Sequence, residues 1–229
     1  MNKTHALLDN LILDPDGKKY YEDFDTSTYG NTLEPGSAPA PWLYQQIVDT
    51  VNPTLIIEVG SYLGFSAIGM AKRIKETGKD CKIICVDTFL GGPDHFFLYR
   101  SKQDMRLGYK HGYPSLYYKF ITNVILNNVQ DVIYPLPYPS TVAFKILEPL
   151  MKEHGVQADV VFIDGSHETH DVYMDLYYYY QLVKPGGLIV GDDWAWATVR
   201  AGVRQFIETN EITSSLNILQ NQIHWTITK

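Results

Sequence analysis

The chain has 229 residues, of which 45% are hydrophobic and 20% are charged, and its formal net charge is -7. This length predicts one domain, with room for an appended arm. The negative charge argues against nucleic acid as a partner and against a polybasic contact with a membrane, because both depend on clustered Lys and Arg.

The cysteines and the hydropathy pattern indicate the compartment. We find no apolar stretch with the length of a signal-peptide core or of a membrane span. Cys81 and Cys85 lie too close together on one predicted strand to form a disulfide. Because two buried free thiols are typical of a reducing compartment, we expect a cytoplasmic protein.

Residues 1–39 differ in composition from the rest of the chain. The stretch KKYYEDFDTSTYGNTLEPGSAPAP is rich in turn-forming residues, and only Leu7, Leu8, Leu11 and Ile12 offer a short apolar face. We therefore predict an N-terminal arm or lid over residues 1–39 and a main domain over residues 40–229. The arm would cover the acceptor or contact a second subunit of a homo-oligomer.

Helical patterns and short apolar runs alternate from Pro41 onward. Runs in which apolar and polar residues hardly alternate are typical of strands buried on both faces of a parallel sheet. The segments SLNILQ and QIHWTI around Asn221 predict a closing antiparallel hairpin. The fold class is α/β, a Rossmann-like doubly wound, mostly parallel sheet of about seven strands. Strands are predicted at 55–60, 82–89, 131–137, 158–165 and 187–194, helices at about 41–51, 65–77, 140–154, 169–183 and 197–209, and a functional loop at 90–118.

The strongest local motif, EVGSYLGFS, follows the first strand, at the sheet edge where doubly wound folds bind ligands. Glycines let the backbone approach a ligand closely, and the following helix offers free N–H groups. The spacing G-x-x-x-G lacks the third glycine of a dinucleotide fingerprint, and the G-K-[ST] of a phosphate loop is absent. A nucleotide-like ligand without a pyrophosphate is therefore favoured. The candidate cofactor-binding residues in this motif are Glu58, Gly60, Ser61, Gly64 and Ser66.

Carboxylates follow three further predicted strands. Asp87 ends the second strand, where it can accept hydrogen bonds from a ribose diol. Asp164 follows the fourth strand, and Asp192 and Asp193 follow the fifth, so that all three belong to one rim of the sheet. Three such carboxylates suit a hard cation such as Mg²⁺, although acids at these positions also cap helices.

Two further residue types lie next to these carboxylates. His167 comes three residues after Asp164, and an imidazole, which titrates near neutrality, can take a proton from a substrate hydroxyl. A structural role for a lone histidine is the alternative. Trp194 and Trp196 follow the two adjacent acids, where packing is slightly favoured over lining a pocket.

At these motifs the sequence resembles the class I S-adenosylmethionine (SAM)-dependent methyltransferases, over about residues 53–229. The EVGSYLGFS turn is similar to the family's first motif, which cradles the methionine part of SAM, and Asp87 matches its ribose-binding acid. The segments VDTFLGG, FIDGSHETHDV and KPGGLIVGDDW resemble a bacterial-type subgroup similar to macrolide-sugar O-methyltransferases and cephalosporin hydroxylase-like proteins.

The resemblance extends to catechol-type O-methyltransferases, which hold a metal with an Asp after strand four and an Asp-Asn pair after strand five. Asp164, Asp192 and Asp193 fall on those positions, and His167 stands where those enzymes carry a catalytic Lys. The resemblance implies Mg²⁺-assisted methyl transfer from SAM to a hydroxyl of a sugar or catechol-like small molecule, with His167 and Asp164 as catalytic residues. Asp164 is assigned to SAM binding as well. A non-catalytic SAM-binding protein and a Rossmann-type oxidoreductase are the alternatives.

Overall fold

A computed structural model of the protein describes residues 3–11, 20–30, 41–102, 106–212 and 216–229. Its seven-stranded sheet has the order β3-β2-β1-β4-β5-β7-β6. Strands β1 to β5 run parallel, and β7 pairs antiparallel with both β5 and β6. The predicted fold class is therefore confirmed. The strands are β1 (Leu55–Val59), β2 (Lys82–Val86), β3 (Ile133–Leu136), β4 (Ala158–Ile163), β5 (Val183–Gly191), β6 (Asn217–Ile218) and β7 (Trp225–Thr228).

Helices cover both faces of the sheet. Those predicted at 65–77, 140–154, 169–183 and 197–209 are present to within one residue at each end. The helices are α1 (Lys3–Asp9), α2 (Pro41–Gln46, continued by a π-helical turn over Ile47–Val51), α3 (Phe65–Glu76), α4 (Pro93–Arg100), α5 (Leu116–Leu126), α6 (Ser140–His154), α7 (Thr169–Leu182) and α8 (Ala197–Thr209).

The apolar strands lie between two hydrophobic clusters, one on each face of the sheet. Every residue of β1 and β4 is buried. Ile56 belongs to one cluster and its neighbour Ile57 to the other, because successive side chains of a strand point to opposite faces. This two-sided burial explains why the sequence of these strands shows no alternation.

Two details differ from the sequence prediction. The region 90–118 is not a single irregular loop, since it contains α4 and the start of α5. Leu116, Phe120 and Val124 recur at helical spacing and are buried, so α5 is a core helix. Strand β5 begins at Val183 rather than at 187, and a register shift against β4 absorbs the Pro-Gly-Gly sequence.

The described part of the N-terminal region packs on the domain. Leu7, Leu8 and Leu11 are buried in one hydrophobic cluster, and Tyr21 donates a hydrogen bond of 2.9 Å to the carbonyl of Ile133. Ile12 and the ranges 12–19 and 31–40 lie outside the described residues. The arm's role as a lid or subunit contact stays a prediction. In the described ranges, no helix combines the length and hydropathy that crossing a bilayer requires.

Candidate cofactor and acceptor site

The glycine turn after β1 holds two glycines at left-handed backbone positions. Gly60 and Gly64 each have φ near +89°, which favours glycine. A Cβ on Gly60 would collide with the backbone carbonyl of Asp164. The Gly60 N–H donates to the carbonyl of Val86 at 2.9 Å, and the Asp164 N–H donates to that of Val59 at 2.8 Å. The ends of β1, β2 and β4 therefore meet backbone to backbone at this turn.

Glu58 lies fully buried beneath the turn. Its two carboxylate oxygens accept hydrogen bonds from the hydroxyls of Ser61 and Ser66, each at 2.5 Å. Burial raises the pKa of Glu58 to about 7, although both hydroxyl bonds act in the opposite direction. The structure brings these three predicted residues together, with their side chains bonded to one another.

Asp87 connects the turn to the end of β2. One carboxylate oxygen accepts from the amides of Ser61 at 2.9 Å and Tyr62 at 2.7 Å. The other accepts from the amide of Phe89 at 2.6 Å. A carboxylate offers about four acceptor positions, so this anchoring leaves room for a further donor.

A cleft of about 430 Å³ runs along the carboxyl ends of the strands. Gly60, Asp87, Asp164 and His167 all line it. Doubly wound sheets bind their ligands in this position. Of the predicted cofactor residues, Gly60, Asp87 and Asp164 thus share one cavity with the predicted base, whereas the side chains of Glu58, Ser61 and Ser66 bond to one another beneath the turn.

The three rim carboxylates take separate partners. Asp192 accepts from the amide of Asp193 at 2.7 Å, and Asp193, whose backbone is left-handed, lies 2.8 Å from His167 Nε2. Burial, together with the charges of Asp192 and Asp193, raises the pKa of Asp164 well above its ordinary value.

This arrangement does not support the predicted magnesium site. Within the described ranges, no group of three or more His, Cys, Asp or Glu side chains could hold a metal ion. Asp193 is directed to His167, and Asp192 accepts from a backbone amide.

His167 is held between two carboxylates and an indole. Nε2 lies 2.8 Å from Asp193, and Nδ1 lies 3.2 Å from Asp94 on α4. The ring stacks on Trp196 at 4.5 Å between centroids. The hydrogen bond with Asp193 and, less strongly, that with Asp94 raise the pKa of His167, while partial burial lowers it. The imidazole can act as a base only after Nε2 has lost its proton and Asp193 has moved away from it.

Sequence reasoning missed two residues at this rim. Asp94 lies on a helix predicted as loop, so no pattern pointed to it. His224 is buried, and its Nε2 lies 3.3 Å from Asp192. Asn221 fixes that ring: its carbonyl oxygen accepts two backbone amides, so its amide nitrogen donates to His224 Nδ1 at 2.6 Å. Only the folded hairpin reveals this contact.

The sheet order, the closing antiparallel hairpin and the cleft at the strand ends define a class I SAM-dependent methyltransferase fold. A family model described as a methyltransferase domain matches residues 57–194. The chain belongs to this methyltransferase family. A comparison with curated proteins finds no match.

Solved structures of O-methyltransferases share the fold. NovP aligns with a TM-score of 0.60 at 17% identity, over 82% of this chain and 78% of that chain. TomG from Streptomyces achromogenes, in complex with SAM, aligns with a TM-score of 0.55 at 16% identity, over 84% and 81%. An O-methyltransferase from Bacillus cereus, in complex with S-adenosylhomocysteine (SAH), aligns with a TM-score of 0.54 at 14% identity, over 98% and 91%. At these identities the likeness concerns the fold alone.

Proposed function

We propose that the protein transfers the methyl group of SAM to a hydroxyl oxygen of a small molecule. The observation that supports this proposal most is that the glycine turn and His167 line a single cleft. A donor on one side and an acceptor on the other would be aligned within one cavity, which converts an encounter into an intramolecular step. Oxygen as the acceptor atom is also suggested by the O-methyltransferases that share the fold.

We assign SAM to the side of the cleft formed by the turn. Gly60 and Asp87 line the cleft there, and Asp87 would accept the ribose hydroxyls. Asp164 would face the methionine part. Glu58, Ser61 and Ser66 would contribute by holding the turn in its binding shape through their buried hydrogen bonds.

The reaction requires one bond to form and one to break. The acceptor oxygen attacks the methyl carbon, the carbon–sulfur bond breaks, and its electron pair remains on sulfur to give SAH. His167 first gives its Nε2 proton to Asp193, which moves aside with it, so that the neutral imidazole can accept the hydroxyl proton on Nε2. Asp94 then stabilises the resulting imidazolium through Nδ1.

Magnesium assistance, predicted from the same rim, carries no step in this mechanism, because the described side chains form no metal-holding group. Asp193 pairs instead with His167. We expect turnover to persist in excess EDTA. If EDTA abolishes turnover and added Mg²⁺ restores it, the protein requires the metal.

The function is tested with labelled SAM and a panel of hydroxylated sugars and catechols. Labelled methyl ether and an equal amount of SAH are the expected products. Mass spectrometry of the ligand that copurifies with the protein separates the alternatives. Bound SAM or SAH without turnover on any acceptor indicates a non-catalytic SAM-binding protein, and bound NAD indicates an oxidoreductase.

A further inference from the structure

Helix α7 carries a buried carboxyl group that the proposed reaction does not use. Only 5% of Asp175 is exposed, yet it is one of the residues that line the cleft. Gly165, which also lines the cleft, lies against it: a Cβ added to Gly165 would be 3.4 Å from Asp175 Oδ2. Because a glycine has no side chain to cover the carboxyl group, a ligand in the cleft can come close to it.

The protein itself satisfies this carboxyl group only in part. Burial, together with the charge of Asp171, raises the pKa of Asp175 to about 7, although a hydrogen bond from Ser140 lowers it. Among the described residues, Ser140 is the one hydrogen-bond partner found for Asp175. A carboxylate offers about four acceptor positions, and a buried polar group that lacks partners is unfavourable. Asp175 can therefore accept a donor from a ligand.

The order of the strands indicates where the base of the proposed cofactor lies. At the sheet edge, the end of β2 with Asp87 stands between the end of β3 and the ends of β1 and β4. The base and the sulfur of SAM are attached to opposite ends of the ribose. With the methionine part at Asp164 and the ribose at Asp87, the base therefore extends toward the end of β3. Tyr138, Pro139 and Ser140 follow β3 and line the cleft.

This part of the cleft combines apolar surface with a single buried acceptor. Tyr138, Pro139 and Met174 line the cleft and offer apolar surface to the faces of a flat base. Asp175, which bonds to Ser140 at the start of α6, offers an acceptor to its edge. On the edge of adenine the 6-amino group is the donor, so it is the group that a carboxylate can accept.

We infer that Asp175 determines the specificity of the cofactor site by accepting a hydrogen bond from the 6-amino group of adenine. The inference rests on the proposed function, because SAM supplies the adenine. A purine without that group would leave the buried carboxylate short of a donor. A site built around a hydrogen bond rejects the analogue that cannot make it.

Calorimetry compares SAH with its analogue in which hydrogen replaces the 6-amino group. The measurement is made at pH 8, where Asp175, with a pKa of about 7, is ionised. Hydrogen bonds to a charged group change a dissociation constant by about tenfold or more. We expect SAH to bind at least tenfold more tightly than the analogue. Equal dissociation constants for the two ligands would overturn the inference.

Variants separate a contact with adenine from a structural role of the same carboxyl group. In Asp175→Ala the two ligands should bind within about twofold of each other, whereas loss of a structural role alone would weaken both ligands equally and keep the gap. Asp175→Asn retains the shape and a neutral acceptor oxygen, so the gap should shrink to about threefold. A gap of wild-type size in either variant would also overturn the inference.

Asp171→Ala is the matched control. Asp171 is an acid on the same helix and lines the same cleft, but its carboxylate accepts from the Ser166 hydroxyl at 2.7 Å. This variant should keep the full gap between SAH and the analogue. If the gap disappears in Asp171→Ala as it does in Asp175→Ala, the preference does not come from Asp175.

Failure of this inference and failure of the proposed function give different results. If SAH and the analogue bind equally and a methyl ether forms, Asp175 does not recognise adenine and the function stands. If the gap is present but no acceptor is methylated, the inference stands and the methyl transfer is wrong. If SAH does not bind, adenosine and its 6-hydrogen analogue repeat the comparison without the methionine part, and no binding of either would overturn both proposals.

Discussion

The two sides of the cleft are constructed differently. The cofactor side consists of backbone contacts and buried hydrogen bonds: Gly60 touches the loop of Asp164, and Glu58 bonds to two serines under the turn. The proposed acceptor side consists of side chains, with Asp94 of α4 and Trp196 both in contact with His167. From this difference we expect substitutions on the first side to alter stability and SAM affinity together, and those on the second to alter turnover.

The largest effect should come from the acceptor side. Replacing His167 with Ala should lower the methyl-transfer rate by roughly 10²–10⁴-fold, because the hydroxyl loses its base. SAM affinity and the free energy of unfolding should hardly change. His170→Ala is the control, a second histidine on the same cleft. Equal losses in both variants would remove the special role of His167.

On the cofactor side, Gly60→Ala should destabilise the protein by roughly 4 kcal/mol and abolish SAM binding, because its Cβ enters the Asp164 carbonyl and its φ is positive. Gly78 also has a positive φ, but no described atom lies within 4 Å of its added Cβ. Gly78→Ala should therefore cost about 1 kcal/mol. Urea unfolding of both variants measures the difference, and similar losses would contradict the close approach.

The buried acid of the turn should make stability depend on pH. Because burial raises the pKa of Glu58 from 4.5 to about 7, the folded protein retains a proton that the unfolded chain releases. This contribution is fully present below about pH 4.5 and is lost as pH rises through 7. Relative to Glu58→Gln, the wild type should lose roughly 3 kcal/mol between pH 4 and pH 8. Parallel unfolding curves would show that Glu58 is ionised when folded.

The smallest of these effects concerns the ribose. Asp87→Ala should weaken SAM binding at least tenfold, since charge-assisted hydrogen bonds are worth roughly 1.5–3 kcal/mol. Asp87→Asn serves as the comparison, because its oxygen can still accept a backbone amide. An unchanged dissociation constant in calorimetry would limit Asp87 to holding the turn.

The sequence predicts the cofactor side far better than the acceptor side. Apolar runs and paired glycines depend on local chemistry, so β1, the turn and Asp87 were found at their observed places. The direction of the Asp193 side chain depends on a left-handed backbone conformation, which the neighbouring residues in the sequence do not predict. The sequence does not predict helix α5, because aromatic and β-branched residues such as Phe120 and Ile121 have a low helix propensity. In the folded protein the burial of these side chains stabilises the helix.

The lack of buried side chains on α4 has an evolutionary consequence. Because α4 buries none of its residues, substitutions such as those at Phe97 or Leu98 remove little of the free energy that holds the domain together. Mutations there can accumulate without a compensating change elsewhere. On the proposed function, α4 can therefore change one residue at a time beside the acceptor, while the buried hydrogen bonds under the glycine turn stay in place.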